Sequence, residues 1–201
     1  MRRWLLLSLL TLAACGHLIP ANDQTFDPAH LRSGAYRLDA EHTALLWKVN
    51  HLGFTKYVGR FDRIEGSLDF DPNSASASHL EVIVESASID SNDPKLDSDL
   101  RGSSWFDSST YPQIVFRSTA IEVTGNNTGR VTGDLSLHGI TRPIVLDVTF
   151  NGGANDLITG RYTLGFAATG TFKRSDFGVD DYVPAIGDEV TLEIYAEFLK
   201  Q

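Results

Sequence analysis

Cys15 is the only cysteine in this 201-residue chain. With no second one, an internal disulfide is excluded. A cysteine-ligated zinc site is excluded too, so stability must come from packing. Positive charge is also scarce: 17 lysines and arginines face 26 aspartates and glutamates, a formal net charge of −9. That balance argues against nucleic acid and anionic lipid head groups as partners. The apolar run from Trp4 to Leu12 is far too short to cross a bilayer as a helix. Catalytic signatures are missing as well: no Gly-x-Ser-x-Gly elbow, phosphate-binding glycine loop, His-Glu-x-x-His helix or Ser-x-x-Lys pair. His42, His51, His79 and His138 lie far apart in sequence, which suits structural donors better than metal ligands. Asp90, Asp93, Asp97 and Asp99 cluster without the Asp-x-Asp-x-Asp-Gly pattern of a calcium loop and read as a solvated acidic face. No catalytic residue, metal site or cofactor is expected.

What is present begins at the N-terminus. Arg2 and Arg3 precede the apolar run, and Leu12-Ala13-Ala14-Cys15 closes it, the layout of a cleaved export signal. The stretch resembles a bacterial lipoprotein signal. That resemblance implies removal of residues 1–14, diacylation of Cys15 and an N-acylated (palmitate) terminus on the periplasmic face of the cell envelope. By the same resemblance, Gly16 rather than aspartate after the cysteine favours the outer membrane. The mature chain would carry 15 basic and 26 acidic residues, a net charge of −11. Residues 15–33 contain Pro20, Pro28, Asn22, Asp23 and Gln24 without a hydrophobic period and read as a flexible tether, with a reach of roughly 23 Å for its last 18 residues.

Residues 34–201 read as one all-β domain, because from Tyr36 the hydrophobic period is two and turn residues recur at short intervals. Thr43, Leu45, Trp47, Val49 and His51 share one face of a first strand. Further strands are expected at 57–70, 80–85, 114–119, 131–137, 144–150, 161–172 and 189–199. Gly125 to Gly129 reads as a hairpin loop, and Asn151-Gly152-Gly153 and Gly187-Asp188 as turns. Between strands three and four the alternation lapses, and Asp93-Pro94 offers an N-cap and first-turn proline for a short helix. Eight strands suit a closed antiparallel barrel, with sandwich packing as the alternative.

Five segments then carry a resemblance: Asp39 to Thr43, Gly59-Arg60-Phe61, Tyr111 to Ser118, Gly133 to Pro143 with its Leu-His-Gly-Ile-Thr-Arg-Pro run, and Arg174 to Gly178. In this order they resemble the YceI-like family. The resemblance implies a lipocalin-like barrel in the bacterial envelope that encloses a polyisoprenoid, quinone-type or fatty-acyl molecule. The segment Leu96 to Asp107 departs from the family pattern, lacking its usual arginine and histidine, so a ligand's polar head would be held differently there or would be a different head.

Independently of the family, Leu45, Trp47, Val49, His51, Phe61, Val82, Val84, Ile114, Phe116, Leu135, Leu137 and Phe166 form the candidate ligand-binding wall. The apolar ones read either as packed core or as the wall of a cavity. Arg174, with Asp176 and Gly178, reads as a charge-assisted lock between the last two strands. The functional expectation is an envelope lipoprotein that carries or stores an apolar lipid, held at the membrane through acylated Cys15. The alternative is a solid barrel whose acidic outside binds a protein partner, and an enzyme ranks third. The sequence leaves a homodimer open.

Overall fold

The computed structural model describes residues 22–201. The expected leader 1–14, Cys15 and residues 16–21 lie outside the described residues. In chain order the elements are β1 (Gly34–Leu38), β2 (Ala44–His51), β3 (Thr55–Phe61), β4 (Ile64–Phe70), β5 (His79–Glu85), β6 (Ile89–Asp90), α1 (Pro94–Leu100), β7 (Gln113–Val123), β8 (Thr128–Leu137), β9 (Ile140–Asn155), β10 (Tyr162–Lys173) and β11 (Ile186–Lys200). Every pairing is antiparallel, and β1 pairs with both β4 and β11, which closes the sheet on itself.

The short strands are halves of longer ones. β1 and β2 follow one another along β11, as Leu38 faces Phe198 and Ala44 faces Tyr195. β4 and β3 pair with β1 and β2 in the same way, and β5 and β6 with β4 and β3. The wall is thus an eight-stranded up-and-down barrel, as the sequence pattern implied. Its three broken strands bend at one level, at Asp39–Thr43, Asp62–Arg63 and Ser86–Ser88. Buried serines satisfy the backbone there: Ser88 O and Oγ accept from Asp62 N and Arg63 N (both 3.0 Å), and Ser86 Oγ donates to Tyr111 O (2.7 Å). Such breaks let long strands coil tightly enough to close.

The helical excursion is α1, where Asp93 Oδ1 accepts from Lys95 N (3.0 Å) and Leu96 N (3.4 Å) and Pro94 opens the first turn. It lies between the third and fourth wall strands. Asp97 is not solvated as expected: it is buried, and its Oδ1 accepts from Ser91 N (2.7 Å) and Ser91 Oγ (2.6 Å). This helix, the 52–54 and 138–139 turns and the 174–185 loop define the helix end of the barrel. Loops 71–78, 124–127 and 156–161 and residues 22–33 define the terminal end.

Three further expectations need correction. Asn151 to Gly153 lies inside β9 at a register shift opposite Gly165 and Phe166; the turn is farther on, where Asp156 N donates to Arg161 O (2.8 Å). Gly187-Asp188 likewise sits in β11 at a register shift. In both places glycine marks a bulge within a strand. The third concerns the tether, because residues 22–33 are a strap docked across the terminal end. Thr25 and Gly153 exchange two backbone hydrogen bonds of 3.0 Å, Asn22 Oδ1 accepts from Leu157 N (3.2 Å), and Tyr36 Oη donates to Arg32 O (2.5 Å). Phe26 packs edge-on against Phe150 at 5.9 Å. The strap carries no period because it is irregular, yet Phe26, Pro28 and Leu31 supply the apolar surface that docks it.

Candidate functional site

The barrel is hollow. A cavity of about 800 Å³ runs between its two ends, near the top of the range of ligand pockets, about 300–1,000 Å³. All twelve residues of the expected wall line it: Leu45, Trp47, Val49 and His51 from β2, Phe61 from β3, Val82 and Val84 from β5, Ile114 and Phe116 from β7, Leu135 and Leu137 from β8, and Phe166 from β10. Period two explains this outcome, since alternate residues of a barrel strand point inward.

The buried apolar side chains form two clusters instead of one. The first gathers Tyr36, Leu38, Leu45, Phe61, Leu68 and Phe198 with α1's Leu100; the second gathers Phe116, Val131, Leu135, Leu137, Ile144, Leu146 and Phe177. A solid barrel would give one contiguous core. Val82, Ile114, Leu192 and Ile194 pack against both clusters while remaining only partly buried, because they border the void.

Polar lining side chains gather towards the ends. Glu122, Asn126, Asn127 and Thr128 stand at the terminal end, and His51, Tyr57, Arg174 and Tyr182 at the helix end. Trp47 stacks on Tyr57 at 6.2 Å, and its indole lies over Gly59, where an added Cβ would come within 2.2 Å of Cζ2. Its Nε1 is buried without a hydrogen-bond partner among the described residues.

Wall residues not singled out in the sequence include Ile144, Leu146, Val148 and Phe150 on β9, Leu192 and Ile194 on β11, and Leu96 and Leu100 on α1. The strand residues follow the same alternation and were legible on that ground. The helix pair shows i,i+4 spacing. In the segment that departs from the family pattern, Trp105 stacks on Tyr182 at 6.2 Å and both line the helix end.

Arg174 is buried at that end, with its guanidinium 5.3 Å from the Trp105 ring. It donates to Gly187 O (2.9 Å), Val179 O (2.8 Å), Asp181 O (2.9 Å) and Ile186 O (3.0 Å). Burial lowers its pKa, and Asp188, Asp180 and Asp181 act in the opposite direction. The lock between β10 and β11 is present, but its acceptors are backbone carbonyls and not Asp176.

On the outer wall Asp39, His42 and Glu197 bring potential ligand atoms within 4.8 Å of one another. His42 is exposed and Asp39 Oδ2 lies 3.0 Å from its Nδ1, while Asp39 N donates to Glu197 O (2.8 Å). The hydrogen bond with Asp39 raises the His42 pKa, and the same bond is the largest cause lowering that of Asp39. This arrangement closes the 39–43 break.

Residues 36–198 match the YceI-like domain. The chain belongs to the YceI-like family. A UPF0312 protein of Vibrio cholerae is 35% identical over 172 residues, covering 85% of this chain and 89% of its own. One from Pseudomonas putida is 36% identical over 168 residues, covering 83% and 86%. Among solved structures, Burkholderia cenocepacia BcnA aligns with a TM-score of 0.73 at 26% identity, covering 80% of this chain and 98% of its own. A polyisoprenoid-binding domain from Saccharophagus degradans shares the fold, with a TM-score of 0.66 at 13% identity over 85% of this chain and 100% of its own.

Proposed function

We propose that this YceI-like protein holds one long apolar lipid, a polyisoprenoid, isoprenoid-quinone or fatty-acyl molecule, inside the barrel and carries or stores it in the bacterial envelope. One observation carries the reading: a continuous void of about 800 Å³ whose middle, among the described residues, is apolar on every side, with polar side chains only towards its ends. The 11 residues of β7, at about 3.3 Å each and a tilt near 40°, give the wall a height of roughly 28 Å. That length suits an extended chain better than a compact metabolite. A ligand burying 400 Å² of apolar area would gain about 10 kcal/mol before association costs. The Saccharophagus domain of the same fold, described as polyisoprenoid-binding, supports this class of ligand.

The same proposal places the protein at the membrane through acylated Cys15. Intact-mass analysis of the native protein should show the acyl chains, and Cys15→Ala should release it to the soluble envelope fraction. The deciding experiment for the cavity is mass spectrometry of an organic extract of the purified native protein. A single class of prenyl or acyl lipid, near one per chain, is expected. An extract without lipid, together with no uptake of an added fatty acid, overturns the reading.

A further inference from the structure

The cavity has lining residues at both ends, and the strap decides which end meets the membrane. We infer that the terminal end is the lipid portal and that its apolar rim docks on the surface of an uncharged bilayer. The inference rests on the lipid-binding reading above and adds the route by which the lipid enters.

Phe26 and Val123 both line the cavity and stand 48% and 63% exposed, so they mark a mouth. Beyond them, the 156–161 loop presents Leu157 and Ile158, 53% and 79% exposed. These four side chains come from three separate segments of the terminal end. An apolar cluster of this kind on a soluble barrel marks a contact surface. Asp23, Asp27, Glu122 and Asp156 stand in the same segments against Arg32 and Arg161, so the rim carries no excess of positive charge to draw anionic head groups.

The helix end has an apolar rim too, formed by Leu52, Phe54, Tyr182 and Val183. Chain length separates the two. The strap's first described residue, Asn22, is bonded to Leu157 at the terminal end. Cys15 lies only seven residues upstream. Seven residues span at most about 25 Å in any conformation. An anchor at Cys15 therefore keeps the terminal end near the bilayer and leaves the helix end about a barrel height farther away.

The test uses the full acylated chain in phosphatidylethanolamine–phosphatidylcholine vesicles loaded with pyrene-decanoic acid, with uptake followed by loss of excimer fluorescence. The paired substitution Leu157→Ser and Ile158→Ser should slow uptake at least fivefold while leaving the amount bound at equilibrium unchanged. Both residues sit on an exposed loop, and circular dichroism should show an unaltered fold. The helix-end pair Phe54→Ser and Val183→Ser, which lies outside the cavity lining, should leave the rate unchanged. Equal slowing by both pairs, slowing by the helix-end pair alone, or no slowing by either overturns the portal. A wild-type dimer that the terminal-end pair converts to a monomer would make the rim an interface between copies and overturn it as well. Wild-type protein that takes up no probe overturns the cavity reading itself, whereas normal uptake with unaltered rates overturns only the portal.

Discussion

At the scale of single residues, two contacts make sharp predictions. Gly59 faces Trp47 across β2 and β3, and the indole occupies the space a side chain would need, with Asp90 O also within 2.9 Å of the added Cβ position. Gly59→Ala should therefore cost about 1–3 kcal/mol through overpacking, measured by chemical denaturation. The turn His138-Gly139 explains why its motif stood out. Both residues have positive φ, 50° and 75°, a tight hairpin geometry that glycine adopts without strain. His138 Nδ1–H also donates to Phe177 O (3.2 Å), which joins this motif to the Arg174–Gly178 segment. For His42 the sign is set by its bond to Asp39. The folded state binds the proton more tightly, so this stabilisation is complete below the ordinary histidine pKa and is lost as pH rises through the raised value. NMR titration should place the His42 midpoint above that of an unperturbed histidine, and Asp39→Asn should lower it, with Glu197 and Glu41 still holding it up in part.

At the scale of elements, the 174–185 loop depends on Arg174 as the strands depend on their ladders. Four buried or half-buried carbonyls take their hydrogen from this one side chain. Lysine offers three donors from a single point and lacks the planar fork. Arg174→Lys should destabilise by about 1–3 kcal/mol, seen as a lower Tm, because at least one carbonyl is left unpaired. A clamp on the ligand's head group would instead lose lipid with Tm unchanged. The geometry of the four bonds favours the lock. Cross-strand ion pairs such as Arg117–Glu81 (2.5 Å) lie on the outer wall, where each adds little, about 0–1 kcal/mol.

At the scale of the whole molecule, the void sets how substitutions and ligand behave. Val82 and Val84 both line the cavity, but Val82 is only partly buried, whereas Val84, two residues on, is packed to 4% exposure. Val82→Trp should fill empty space at a cost below about 1 kcal/mol and abolish lipid retention, while Val84→Trp should cost about 1–3 kcal/mol or more. Removing the lipid should lower Tm. At a free ligand concentration of 100 times Kd, binding adds about 2.7 kcal/mol, which delipidation withdraws and re-addition of a fatty acid restores. Differential scanning calorimetry on both forms checks this.

The alternation of apolar residues determined the inward face of every wall strand, because a barrel strand has only two faces and one is buried. That is why Leu45, Trp47, Val82, Phe116, Leu135 and Phe166 all reach the cavity. Asp93-Pro94 fixed the start of α1 through local capping. Local pattern could not distinguish a bulge from a turn at Asn151 to Gly153, since glycine serves both and only the partner strand's register decides. Nor could it show that the 22–33 strap docks, because its contacts with Gly153, Leu157 and Tyr162 join residues more than a hundred positions apart. Whether the inward side chains meet across the axis or leave a void depends on barrel closure and strand coiling. Those are properties of the assembled sheet, so the cavity was decided by tertiary structure alone.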